Sequence, residues 1–277
     1  MNNMLSRLSR QRGWILLLGF LLTTVTANLA AWQWRRAQEK AALQAQYLDL
    51  QQRPALTAWP PAIASLPEAT PMRLTGHWLS DKTIYLDNRP RPAGVLTVAD
   101  NPPATLNYAA VGYYVLTPLR LAGSKQTVLV LRGWLPRAQD ARTTLPAIAP
   151  DDTEATVTVV GHITRYSHQL LNLAPGAAVA GEQHGKLWQN LDWAAYQRWS
   201  GLQLPPVLLR QIQATQTEGQ IWRDNLSRNW SPPNFGIEKH YGYCAQWAAL
   251  SLASLVFALV LWRRAATEAT PSGSETE

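Results

Sequence analysis

The chain has 277 residues and a formal net charge of +7, from 25 basic and 18 acidic side chains. Such an excess can indicate nucleic-acid binding, but between residues 37 and 239 it falls to 18 basic against 15 acidic residues. The other basic residues mostly flank two apolar runs, where arginines anchor to lipid headgroups. The single cysteine, Cys244, excludes an intrachain disulfide and a covalent c-type haem attachment. The composition therefore predicts a membrane protein with no nucleic-acid partner.

The first apolar run extends from Trp14 to Trp34 and contains no charged residue. As a helix it is long enough to cross a hydrocarbon core of roughly 30 Å. A signal peptide would have a shorter apolar core and a small-residue cleavage site, whereas this run ends in an aromatic and basic edge typical of an interfacial anchor. We therefore predict a retained transmembrane helix over 13–35, preceded by a cytoplasmic N-terminus over 1–12.

Residues 36–71 are predicted to form a helix that continues out of the membrane, followed by a linker. The segment up to Gln52 is rich in good helix formers, and Pro54 is expected to end it. Proline and alanine dominate the remaining stretch to Pro71, as is typical of a linker.

Residues 72–239 are predicted to form a β-rich periplasmic domain. Five runs rich in β-branched and aromatic residues have the length of strands and are separated by turn residues. They are Met72–Trp78, Thr83–Asn88, Val111–Leu121, Thr127–Trp134 and Ala155–Thr164. Short strands at this spacing indicate a small antiparallel barrel or a sandwich. Asp192 is expected to cap a short helix that ends at Gly201.

The second apolar run extends from Cys244 to Trp262 and predicts a transmembrane helix over 240–262. The tail over 263–277 is small and acidic, and it is predicted to be disordered and cytoplasmic. Arginines before the first run and after the second favour cytoplasmic termini, and the lack of a long presequence favours a bacterial inner membrane. The predicted fold class is α+β, a membrane hairpin whose two transmembrane helices flank the β-rich domain.

Small residues recur at every fourth position in both apolar runs. The rows are Gly19, Thr23, Ala27 and Ala31 in the first run, and Ala245, Ala249 and Ala253 in the second. Such rows let helix backbones approach closely in lipid. They either pair the two helices with each other or dock one helix on a partner membrane protein.

The sequence contains no motif of a serine hydrolase, a nucleotide-binding enzyme or a metalloprotease, which predicts a protein that is not an enzyme. His240 differs from the other histidines because it precedes the second apolar run, beside Tyr241 and close to Trp247. Imidazole is a good axial ligand for haem iron, and either aromatic ring could pack on the macrocycle. The same residues also fit an ordinary interfacial belt of aromatic and basic side chains.

Six blocks of the sequence, taken in order, resemble the surfeit-locus-one family of cytochrome c oxidase assembly factors. They are RLTGHW at Arg73–Trp78, YLDNRP at Tyr85–Pro90, GYYVLTPLRL at Gly112–Leu121, VLVLRGWLPR at Val128–Arg137, LWQNLD at Leu187–Asp192 and KHYGYCAQW at Lys239–Trp247. The resemblance implies a factor that assists haem a insertion into the core subunit of a haem–copper oxidase, or the maturation of that subunit. His240 falls on the family's histidine at the second span, which implies that it binds haem iron.

The resemblance also implies cofactor, partners and topology. The cofactor would be haem a, bound transiently by His240 together with Tyr241 and Trp247. The partners would be the oxidase core subunit and a haem a synthase, in contact with membrane lipid. Both termini would lie in the cytoplasm, with the β-rich domain on the opposite side of the membrane. The alternative is a membrane scaffold for oxidase subunits that involves no haem.

Overall fold

The structure is a computed structural model that describes residues 2–92, 111–137, 145–146, 148, 155–165, 185–217, 219–222, 224–231 and 233–267. The chain divides into two compact units. One unit contains residues 1–46 and 234–277, and the other contains residues 47–233.

Three α-helices occur in the described residues: α1 (Asn2–Gln52), α2 (Trp193–Ser200) and α3 (Ile237–Thr267). Helices α1 and α3 each contain a stretch long and apolar enough to cross a membrane. The predicted continuation of the first helix as far as Gln52 is confirmed. Helix α3 runs to Thr267, and the rest of the predicted tail, residues 268–277, lies outside the described residues.

Helices α1 and α3 pack against each other in opposite directions. Gly19 lies so close to Ala258 that a Cβ on the glycine would be 2.3 Å from the Cβ of the alanine. Two hydrogen bonds join the helices nearby, between the hydroxyls of Thr23 and Ser254 at 3.0 Å and from Ser251 Oγ to the Thr23 carbonyl at 3.1 Å. The pairing of the two apolar helices with each other is therefore confirmed.

The prediction that the rows of small residues form this contact is, however, mostly wrong. Ala27 and Ala31 are exposed, and so are all three alanines of the second row, Ala245, Ala249 and Ala253. The buried and partly buried positions of α3 instead alternate between spacings of three and four residues from Ile237 to Leu261, as in a left-handed helix pair. A row with a constant spacing of four rotates off such a contact, because 3.6 residues make one turn.

The second unit contains a nine-stranded sheet in the described residues. Its strands are β1 (Pro71–Trp78), β2 (Ile84–Pro90), β3 (Val111–Leu121), β4 (Thr127–Pro136), β5 (Val157–Thr164), β6 (Leu187–Trp188), β7 (Leu208–Gln211), β8 (Thr215–Thr217) and β9 (Gln220–Trp222). Five of them close a barrel in the order β1–β3–β4–β7–β5, with β5 pairing back to β1. Strands β2 and β6 extend the sheet from β3, and β8 and β9 extend it from β5. Of the two predicted architectures, the barrel is the one that forms.

Strand β1 closes the barrel by pairing with two strands in turn. It passes from β5 to β3 at Gly76, which is in register with both Val157 and Leu121. A Cβ at this glycine would lie 2.1 Å from the carbonyl oxygen of Arg120. The close approach explains why glycine occupies this position.

The five predicted strands are confirmed, and so is the predicted helix. The Asp192 side chain accepts a hydrogen bond from the Ala195 amide at 3.0 Å, and α2 ends at Gly201 in the left-handed conformation with φ of 73°. The helix packs its apolar face over one side of the sheet, where Trp188 and Tyr196 are buried with aliphatic residues of β2, β3 and β4. A separate apolar core fills the barrel itself.

Candidate functional site

His240 lies in the first turn of α3 and contacts α1. Its Nδ1 is 2.8 Å from Oε1 of Gln33. A carboxamide oxygen only accepts hydrogen bonds, so this contact is a hydrogen bond in the tautomer that carries a hydrogen on Nδ1. In the neutral form of this tautomer the lone pair is on Nε2, which makes no hydrogen bond within the described residues. This site offers one imidazole nitrogen as a metal ligand.

Packing between α1 and α3 determines where the side chains of Gln33 and His240 lie. Gln33 belongs to the stripe of α1 that faces α3, with Thr26 and Ala37 buried on either side of it. His240 occupies the matching stripe of α3, which continues through Cys244. A polar amide in an apolar segment is costly without a partner. The imidazole of His240 supplies that partner.

Of the other two predicted residues, Trp247 shares the face of α3 on which His240 lies, and Tyr241 does not. Trp247 follows His240 by seven residues, so it lies on the same face, about 10 Å further along the helix axis. It is partly buried. Tyr241 contacts α1 elsewhere, since its hydroxyl accepts from Gln38 Nε2 at 3.0 Å and its ring meets Trp34 edge-on with 5.4 Å between centroids.

Gln33, Trp34 and Gln38 were not predicted as site residues, although α1 contributes all three contacts. The sequence does contain a signal for Gln33. Gln33 is one of two amide side chains in the first apolar run, with Asn28, and the bilayer penalises a polar group that has no partner.

Three of the blocks that resemble the surfeit-locus-one family meet at Arg89 in the second unit. The Arg89 guanidinium donates to the Gln189 carbonyl and, at 3.3 Å, to Oδ1 of Asn190. The carbonyl of Arg89 accepts a hydrogen bond from Trp134 Nε1 at 3.0 Å. These motif residues bind one another, which indicates that they stabilise the domain.

A buried ion cluster lies at the arginine of the RGW block. Asp224 binds Arg228 through both of its carboxylate oxygens and lies 3.9 Å from an Arg132 nitrogen. The side chains of Arg132, Asp224 and Arg228 are 2%, 3% and 8% exposed. The Arg132 guanidinium also lies 4.5 Å above the ring of Trp78. The cluster joins β4 to the segment Asp224–Arg228, which precedes α3 in the chain.

A second buried histidine, His162, lies in the barrel wall on β5, in register with Arg210 of β7. Burial, with a smaller effect of the nearby Arg210 charge, lowers the pKa of His162.

No group of three or more potential metal-ligating His, Cys, Asp or Glu side chains occurs in the described part of the chain. A metal ligand set made only of such protein groups is therefore absent from those residues.

Comparison with known proteins decides the family. The model of the SURF1 family matches residues 20–252, which include most of α1, the barrel and the first half of α3, with Gln33 and His240. The chain belongs to the SURF1 family. A SURF1-like protein of Monosiga brevicollis is 34% identical to it over 117 residues, and this alignment covers 42% of this chain and 42% of that relative. The predicted resemblance is thus confirmed, and the helix–barrel–helix order is the architecture of this SURF1 family member.

Proposed function

We propose that this SURF1 family member is a membrane-anchored assembly factor for a haem–copper oxidase, which assists haem a insertion into the core subunit or the maturation of that subunit. It binds and presents its cargo and does not catalyse a reaction. Its helices α1 and α3 cross a bacterial inner membrane, with both termini in the cytoplasm and the barrel in the periplasm. Its partners are the oxidase core subunit and a haem a synthase.

Family membership supports the assembly role, and one observation carries the haem role. His240 directs Nδ1 towards the amide oxygen of Gln33, and its Nε2 makes no hydrogen bond within the described residues. A neutral imidazole nitrogen of this kind is a good axial ligand for haem iron. The donor chemistry of the site therefore fits a haem, with His240 as the ligand.

The other features of the site support a haem that is bound transiently and then passed on. His240 alone would hold the haem iron, so the haem would be bound less firmly than by two protein ligands, as a cargo requires. Trp247 offers an apolar ring on the same face of α3. Tyr241, whose hydroxyl is bonded to Gln38, lies next to the ligand in the chain.

A haem-independent scaffold for oxidase subunits is the second candidate. The exposed row of Ala245, Ala249 and Ala253 favours it, because small residues on a transmembrane helix let a second helix approach closely. In this case His240 and Gln33 only join the two helices of the hairpin.

The test is an absorption spectrum of the full-length protein, purified in detergent from cells that synthesise haem a. We expect a haem band in the wild type that His240→Ala abolishes. His77→Ala is the matched control, since His77 is a partly exposed histidine of β1, and it should keep the band. A band that persists in His240→Ala would exclude His240 as the ligand. Co-purification of oxidase subunits with no haem band in the wild type would favour the scaffold.

A further inference from the structure

We infer that Gln33 is a positioning residue that acts across the helix pair: it fixes the tautomer and the orientation of His240, so that Nε2 is the atom presented to a haem iron. The inference concerns α1, which contains no ligand of its own in the proposed site. It rests on the proposed function and extends it to a residue 207 positions away in the chain.

The chemistry follows from the short contact. Oε1 of Gln33 lies 2.8 Å from Nδ1 of His240, and an amide oxygen has no hydrogen to donate. A neutral imidazole has only one N–H, so its hydrogen is on Nδ1 and its lone pair is on Nε2. Histidines that bind metals commonly donate their other N–H to an oxygen in this way, which orients the ring and makes the ligating nitrogen more basic.

Burial makes Gln33 able to act as a fixed acceptor. Its side chain is 8% exposed and lies between Thr26 and Ala37, which are 4% and 0% exposed. Within the described residues, His240 is the only side chain to which it is hydrogen-bonded. Because Gln33 is buried, an amide turned away from the imidazole would lose this bond and leave a polar group unpaired in an apolar segment.

Other contacts hold the two helices together. Gly19 packs closely on Ala258, and hydrogen bonds connect Thr23 with Ser251 and Ser254. If Gln33 only joined α1 to α3, its loss should have the same effect as the loss of any other contact between the two helices. Ser254→Ala, which removes an interhelical hydrogen bond far from His240 along α3, is therefore the matched control for loss of helix pairing.

The first experiment observes the tautomer without any haem. The full-length protein is labelled with ¹⁵N-histidine in detergent, and the His240 ring signals are identified by their loss in His240→Ala. We expect the Nδ1–H form in the wild type and in Ser254→Ala. In Gln33→Leu the signals should move to the Nε2–H form that the side chain of free histidine prefers. A wild-type ring in the Nε2–H form, or a tautomer unchanged by Gln33→Leu, would overturn the inference.

The second experiment titrates the same proteins with ferric haem a. We expect Gln33→Leu to weaken haem binding about tenfold or more and to raise the reduction potential of the bound haem. Gln33→Glu should keep the affinity and lower the potential, because a carboxylate is the stronger acceptor for Nδ1–H. Ser254→Ala should change neither value.

The two experiments separate the inference from the function on which it rests. Equal weakening of haem binding by Gln33→Leu and Ser254→Ala would show that Gln33 acts only in helix pairing. If wild type and His240→Ala bind haem equally, the proposed function fails, and the ¹⁵N spectra alone then decide whether Gln33 positions the ring.

Discussion

Replacing Asp224 with asparagine should destabilise the barrel unit strongly. The substitution keeps the side-chain volume but removes the negative charge that Arg132 and Arg228 share, and all three side chains are at most 8% exposed. Removing one partner of a buried ion pair costs about 3–5 kcal/mol, because a buried charge is left uncompensated. A surface pair of the same chemistry contributes only about 0.3–0.5 kcal/mol.

The matched control is Asp49→Asn. Asp49, in the last turn of α1, pairs with Arg53, which directly follows that helix, and these side chains are 64% and 62% exposed. For a domain of this size each kcal/mol shifts Tm by about 2–4 °C, so Asp224→Asn should lower Tm on the order of 10 °C and the control by roughly 1 °C. The assay is thermal unfolding of the full-length protein in detergent, followed by near-UV circular dichroism. Equal shifts in the two variants would refute the assignment of a stabilising ion cluster.

Three further predictions concern the same unit. Gly76→Ala should prevent normal closure of the barrel, since its Cβ would lie 2.1 Å from the Arg120 carbonyl oxygen; a wild-type Tm would contradict this. Asp192→Ala removes the cap of α2 and should lower the free energy of unfolding in urea by about 1 kcal/mol, whereas Asp192→Asn should not. The lowered pKa of His162 means that the unfolded chain binds more protons below about pH 6.5, so stability should fall as pH falls through that range. His162→Gln should flatten this part of the stability profile, and an unchanged slope would assign it to other groups.

The strands that the sequence predicts are those long enough for their composition to be visible, such as β3 over Val111–Leu121. Strands β6 to β9 are two to four residues long, too short for alternation to distinguish them from loops. Barrel closure depends on one of them, because β7 joins β4 to β5. The sequence therefore predicts a barrel or a sandwich, and the choice between them follows from a pairing between distant segments.

The candidate site was predicted only in part, and the reason is similar. His240 is recognisable from its place before an apolar run, but its contact with Gln33 depends on how α1 and α3 align along each other. Neither run alone determines that alignment. The rows with a spacing of four, such as Ala245, Ala249 and Ala253, suggested a different face of the helix, which is exposed in the structure.

The most direct measurement of the proposed function is the haem a content of the oxidase core subunit in cells that lack this protein. Such cells are complemented with the wild type, with His240→Ala or with His77→Ala, and the level of each variant in the membrane is checked by immunoblot. We predict that the wild type and His77→Ala restore the haem a content, and that His240→Ala does not, although it accumulates normally. Full restoration by His240→Ala would contradict a role for this histidine in haem a insertion.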